Sequence, residues 1–150
     1  MKNEIKHIWS IVCRKGLIEN DTNVISLMEI FEKVDVNLKE NIKFGEDKSV
    51  IVPFDFEVVS FWKRQLHANV AKGEAKLNIL SPKGKRLGGA LVNFEIPALK
   101  SSARTIAKIN GFPITGSGEY TIEIQEKIGD QYITVTQIPL EVIVHENSKK

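Results

Sequence analysis

A single cysteine, Cys13, is all the thiol chemistry the chain carries, so no disulfide can form within it. That usage is expected of a reducing compartment, and Cys13 sits in an apolar run where a buried, inert thiol is the expectation. Charge of one sign is also missing. Twenty-one basic side chains face nineteen acidic ones, for a net charge of +2. A nucleic-acid binder carries a larger and more clustered basic excess. The short basic groups Lys63-Arg64 and Lys83-Gly84-Lys85-Arg86 read instead as a solvated strand end and a solvated turn. Long hydrophobic runs are absent, and no window approaches the roughly 20 apolar residues that cross a bilayer. The segment Ile8 to Val12 is too short for a secretion signal and is interrupted by Ser10. Asn20-Asp21-Thr22 fits a glycosylation pattern but reads as a turn. The expectation is a cytoplasmic protein with neither nucleic acid nor membrane among its partners.

Recognisable reaction chemistry is scarce as well. His7, His67 and His145 fall in separate elements with no second cysteine or nearby carboxylate at ligand spacing, so no metal is expected. Asp47, Asp55 and Asp130 are too dispersed for a calcium site, which needs several oxygen ligands together. Neither Gly116-Ser117-Gly118 nor Gly88-Gly89 opens a helix, so no phosphate loop is present. There is no serine elbow and no cysteine–histidine signature. The sequence therefore names no catalytic residue and no cofactor. A site assembled from distant residues stays open as an alternative.

What the chain does have is alternation. At 150 residues it has the length of one domain. Tyr120, Ile122 and Ile124 alternate with Glu119, Thr121, Glu123 and Gln125, the period of a strand with one wet face. The chain returns through Ile133 and Val135, then Ile138, Leu140, Val142 and Val144. The apolar parity switches between these sets, which predicts a bulge or bend near Gln137-Ile138-Pro139. A second hairpin joins Ala75, Leu77 and Ile79 to Ala90, Val92, Phe94 and Ile96 through Ser81-Pro82-Lys83-Gly84, a type I turn sequence. Another strand is expected over Arg104 to Asn110, and another over Ile5 to Cys13 with Trp9 and Ile11 on its richer face.

The segment from Val24 to Val34 is ambiguous, because Ser26 and Glu29 could form a helical capping box. Its β-branched and aromatic residues favour strand. No helix longer than about three turns is expected. The predicted fold is an all-β, single-domain antiparallel sandwich of about eight strands, immunoglobulin-like or related. It spans residues 1–144 and is followed by a loosely ordered tail, 145–150, where the apolar pattern stops.

One segment departs from clean alternation. In Val58-Val59-Ser60-Phe61-Trp62-Lys63-Arg64-Gln65 apolar side chains fall on both faces. Parity puts Trp62 on the core face and Val59, Phe61 and Lys63 on the other. Aromatics beside cations are enriched where proteins bind. The segment either becomes covered on both faces or presents a partner-binding patch of Val59, Phe61 and Lys63. The functional expectation is a non-catalytic protein-binding or assembly module. A small-ligand or carbohydrate binder using Phe61 and Trp62 as a stacking platform is the alternative, and an enzyme with a composite site is a third.

The chain also resembles a family of small uncharacterised bacterial proteins of about this length. The resemblance rests on His7-Ile8-Trp9-Ser10, Asp21-Thr22-Asn23, Ile25-Ser26-Leu27 and Val52-Pro53-Phe54. It continues through Ser81-Pro82-Lys83-Gly84, Gly118-Glu119-Tyr120-Thr121 and Ile138-Pro139-Leu140-Glu141-Val142. These are strand and turn motifs. They imply an immunoglobulin-like or related sandwich, favour strand at Val24 to Phe31, and bring no functional residue with them.

Overall fold

Alternation gives each long strand one face that must be buried, and the strands answer by stacking in layers. The computed structural model describes residues 5–38, 43–45 and 48–146, so Asp47 lies outside the described residues. Eleven strands form there, numbered in chain order. A four-stranded sheet runs β2 (Ile25–Ile30), β1 (Lys6–Ile18), β5 (Phe56–Lys63), β8 (Ser102–Ile109). A five-stranded sheet runs β3 (Lys33–Leu38), β11 (Gln131–Glu146), β10 (Gly118–Ile128), β6 (Ala71–Leu80), β7 (Arg86–Ile96). A small pair joins β4 (Val50–Val52) to β9 (Phe112–Ile114).

The core lies between the two larger sheets. Val12, Val58 and Trp62 from the first meet Leu77, Ile79 and Ile122 from the second. The Trp62 ring packs 4.9 Å from that of Phe94 on the facing sheet. At the other end Phe56, Phe112 and Tyr120 form a chain of rings with centroids 5.6 Å apart.

Both expected hairpins are present, β6–β7 and β10–β11, each antiparallel. In the first, the Gly84 N–H donates to the Ser81 carbonyl at 2.8 Å, and Gly84 takes a φ of 88° that favours glycine. The ambiguous segment is strand, split into β2 and β3. Glu29, with φ of 55°, lies within β2 between the paired Met28 and Ile30, and the break between the two strands falls at Phe31-Glu32.

Five expectations need correction. The strands number eleven rather than about eight, because short pieces such as β4 and β9 carry too few residues to show a period. The sandwich is not wholly antiparallel. After β2 the chain crosses to the second sheet, and β3 lies parallel to β11. The bulge is at Val135, skipped where Ile124 pairs with Thr136 and Gln125 with Thr134, and not at Gln137-Ile138-Pro139. Pro139 sits within β11 just before β3 begins to pair, where that side is still an edge and a missing N–H costs nothing. Residues 145 and 146 belong to β11, pairing with Asn37 and Leu38 of β3, so the ordered domain passes 144. Residues 147–150 lie outside the described ones. Finally, Arg64 is not solvated but 7% exposed.

Tyr120 ties the start of β10 to the turn before it. Its hydroxyl donates to the Gly116 carbonyl at 2.7 Å and accepts the Thr115 N–H at 2.7 Å. A tyrosine hydroxyl bonded back to the backbone a few residues upstream pins this corner. Tyr120→Phe leaves one backbone donor and one acceptor without their partner, and the expected loss is about 1–3 kcal/mol. A urea unfolding curve with an unmoved midpoint would show the corner to be idle.

Candidate functional site

The aromatic segment of β5 meets its surroundings differently on each face. Trp62 is fully buried on the core face, as parity requires, and its Nε1–H donates to Thr105 Oγ1 at 3.0 Å. It therefore cannot serve as a stacking platform for a ligand. Val59, expected on an exposed patch, is 0% exposed. Of the three residues assigned to a partner surface, Lys63 is exposed, Phe61 is half-buried and Val59 is wholly covered. Of the two alternatives the sequence left for this strand, cover on both faces is what Val59 shows.

The roof is the far end of the β1–β2 hairpin, which curls over the outer face of its own sheet. Gly16 makes the close approach possible, since a Cβ there would lie 3.0 Å from a Val59 methyl and 3.6 Å from Ile106 Cδ1. The Gly16 N–H donates to Glu57 Oε1 at 2.8 Å. Glu57 is 6% exposed, and the Lys15 ammonium lies 3.9 Å from its other oxygen. A buried carboxylate thus holds the bend from below. Burial, then the charge of Glu57, push the neighbouring Cys13 thiol up despite a backbone hydrogen bond from Lys15. Cys13 is buried, as its apolar run implied, and a raised thiol pKa disfavours the reactive thiolate.

Beyond the bend, the hairpin leaves a pocket of about 280 Å³ between its tip and the sheet. Trp9, Phe61 and Arg104 are register neighbours across β1, β5 and β8, so they form one row on the outer face. Trp9 stacks on Phe61 with ring centroids 5.7 Å apart and planes 24° apart, which fixes the Phe61 ring as a wall. Ile18 and Asn23 close the pocket from above, and Pro97 and Ala103 line its other sides. Ser102 adds a hydroxyl. Arg104 Nη2 donates to the Asn23 carbonyl at 2.6 Å and straps the hairpin tip down. Asn23 itself has φ of 57°, a conformation this residue type tolerates.

Arg64 holds the Pro97 wall. Its guanidinium donates to the carbonyls of Lys100 at 3.1 Å and Pro97 at 2.9 Å, with a longer contact to Ile96. Sequence reasoning singled out Phe61 and Lys63 but missed Trp9, Ile18, Arg64 and Arg104. The one available signal was the clustering of aromatics in β1 and β5, since pairing between strands some fifty residues apart leaves no local mark.

Elsewhere the ionisable groups stand apart. No three His, Cys, Asp or Glu gather in ligand geometry among the described residues. His67 is exposed, and His145 contacts Asp35 at 3.0 Å on the second sheet. His7 is half-buried against the Trp62 ring edge and bonds Ser10 at 2.7 Å, which in turn bonds Ser60 at 2.6 Å. Burial lowers the His7 pKa from its ordinary value. The neutral imidazole is thus favoured by folding. Its contribution is fully present above about pH 6.5 and is lost as pH falls through the lowered folded value. The melting temperature should drop faster below that pH in the parent than in His7→Gln. Parallel acid limbs in the two proteins would remove His7 as the cause.

No family model matches the chain, and no curated protein matches it. The resemblance to a family of small uncharacterised proteins therefore has no family model behind it, while the all-β build it implied is present. Among solved structures the chain is similar to the C-terminal domain of Wzt, at 12% identity and a TM-score of 0.45. That match covers 99% of this chain and 76% of that one. A likeness of this degree bears on neither ligand nor activity.

Proposed function

We propose that the protein is a non-catalytic binding module for a small, ring-shaped ligand of the carbohydrate class. The observation that carries the reading is the Trp9–Phe61 stack standing as one wall of a roofed pocket. A pre-oriented aromatic ring beside a few polar groups is the usual composition of a small-ligand site. The volume is just under the typical range of about 300–1,000 Å³, which suits one ring rather than a larger molecule. The lining holds a hydroxyl at Ser102 and an amide at Asn23 but no His, Cys, Asp or Glu, so no general base stands beside a nucleophile. This supports binding over catalysis. We also read the sandwich as immunoglobulin-like, from its strand order and tyrosine corner.

The test is Phe61→Ala, followed by NMR titration of the full chain with simple hexoses. Phe61 is half-buried, so the variant should stay folded and lose stability well short of a core tryptophan deletion. Sugar-dependent shifts around Ser102 and Ala103 should disappear. Shifts that persist in Phe61→Ala would refute the pocket.

A second reading, a protein partner, is favoured by a different surface. Val24, Met28 and Ile30 are 58%, 50% and 55% exposed on or beside the edge strand β2. Exposed apolar edges of this kind are where extended segments of other chains add.

A further inference from the structure

We infer that the ligand of this pocket is anionic, a ring bearing a carboxylate of the uronic-acid kind, and that Arg104 and Lys63 select it. The inference rests on the reading of the pocket as a sugar site and narrows it. Phe61 pairs with Arg104 and Lys63 pairs with Ser102, so all four side chains project from the same outer face of β5 and β8. Neighbouring strands are about 4.8 Å apart. A ring stacked on Phe61 therefore has its substituents within reach of the guanidinium.

Arg104 spends one donor on the Asn23 carbonyl. The rest of the five N–H donors of a guanidinium have no partner among the described residues. No carboxylate lines the pocket to neutralise it. Glu19 and Asp21, the acids of the hairpin turn, are exposed and form no ion pair with Arg104 among the described residues. The Lys63 side chain is exposed and likewise takes part in no described hydrogen bond or ion pair. Two cations beside a fixed aromatic wall, with no anion against them among the described residues, leave room for a charge met from outside. The planar fork of arginine matches a carboxylate with two parallel hydrogen bonds, which a neutral sugar cannot supply.

The experiment titrates the isotope-labelled full chain with glucuronate, glucose and inorganic phosphate, following amide shifts at Phe61, Ser102 and Arg104. Glucuronate should saturate at about one-tenth the concentration glucose needs, as one added charge-assisted pair implies. Added salt should narrow the gap. Arg104→Gln should bring glucuronate down to the level of glucose, with whatever its loss as a strap costs falling on both sugars alike. Because Arg104 also straps the hairpin, Lys63→Gln, which touches no described partner, carries the charge test independently and should give a smaller loss of the same sign. Equal binding of glucuronate and glucose would overturn the anionic ligand and leave the sugar site standing. Phosphate binding as tightly as glucuronate would overturn the ring-bearing acid. Absence of shifts with either sugar would overturn the sugar site and the acid together.

Discussion

Replacing Trp62 with alanine costs roughly 3–5 kcal/mol of folding stability, the range for a large aromatic removed from a core that cannot close over the gap. The indole is completely buried and stands between the two sheets. It faces Phe94 at 4.9 Å on one side and the His7 ring at 5.1 Å on another. Collapse would require the sheets to approach, and the flanking residues Val58, Leu77 and Ile79 already hold them apart. Thr105 also loses the indole donor. Trp62→Phe keeps a ring against Phe94 and should cost distinctly less. Urea unfolding of both variants decides the matter, with an alanine loss under about 1 kcal/mol, the scale of a surface change, showing that the core relaxes.

Arg64→Met costs about 2–4 kcal/mol. Methionine keeps the apolar stem of the side chain but removes every donor. The carbonyls of Lys100 and Pro97 then lose their charge-assisted bonds, each worth at most about 1.5–3 kcal/mol, and water reaching these exposed loop residues offsets part of the sum. The backbone bonds from Arg64 to Ser101, from Leu99 to His67 and from Lys100 to Pro97 remain. The effect should reach the pocket, since Pro97 is one of its walls. Amide exchange at Leu99 and Lys100 should speed up beyond what global destabilisation explains. Exchange that follows the global stability alone would mean that the loop does not depend on Arg64.

Strand, hairpin and core face were legible because each is written in local order. Tyr120, Ile122 and Ile124 could face only one way, and the same holds for Leu77 and Ile79. Trp62 followed from the parity of its strand alone. The Gly84 turn was legible too, since its residue types are set by backbone angles within four residues.

The site was not, and the reason is range. Parity placed Val59 and Phe61 on the outer face, but what lies over that face is decided by residues more than forty positions away. Glu57 reaches Gly16, and Arg104 reaches Asn23, across 41 and 81 residues. Whether a charge such as Arg64 is solvated depends equally on which loop happens to offer its carbonyls. Alternation says which side of a strand is apolar. Only the tertiary structure decides whether that side meets water, another sheet, or a hairpin folded back to make a pocket of it.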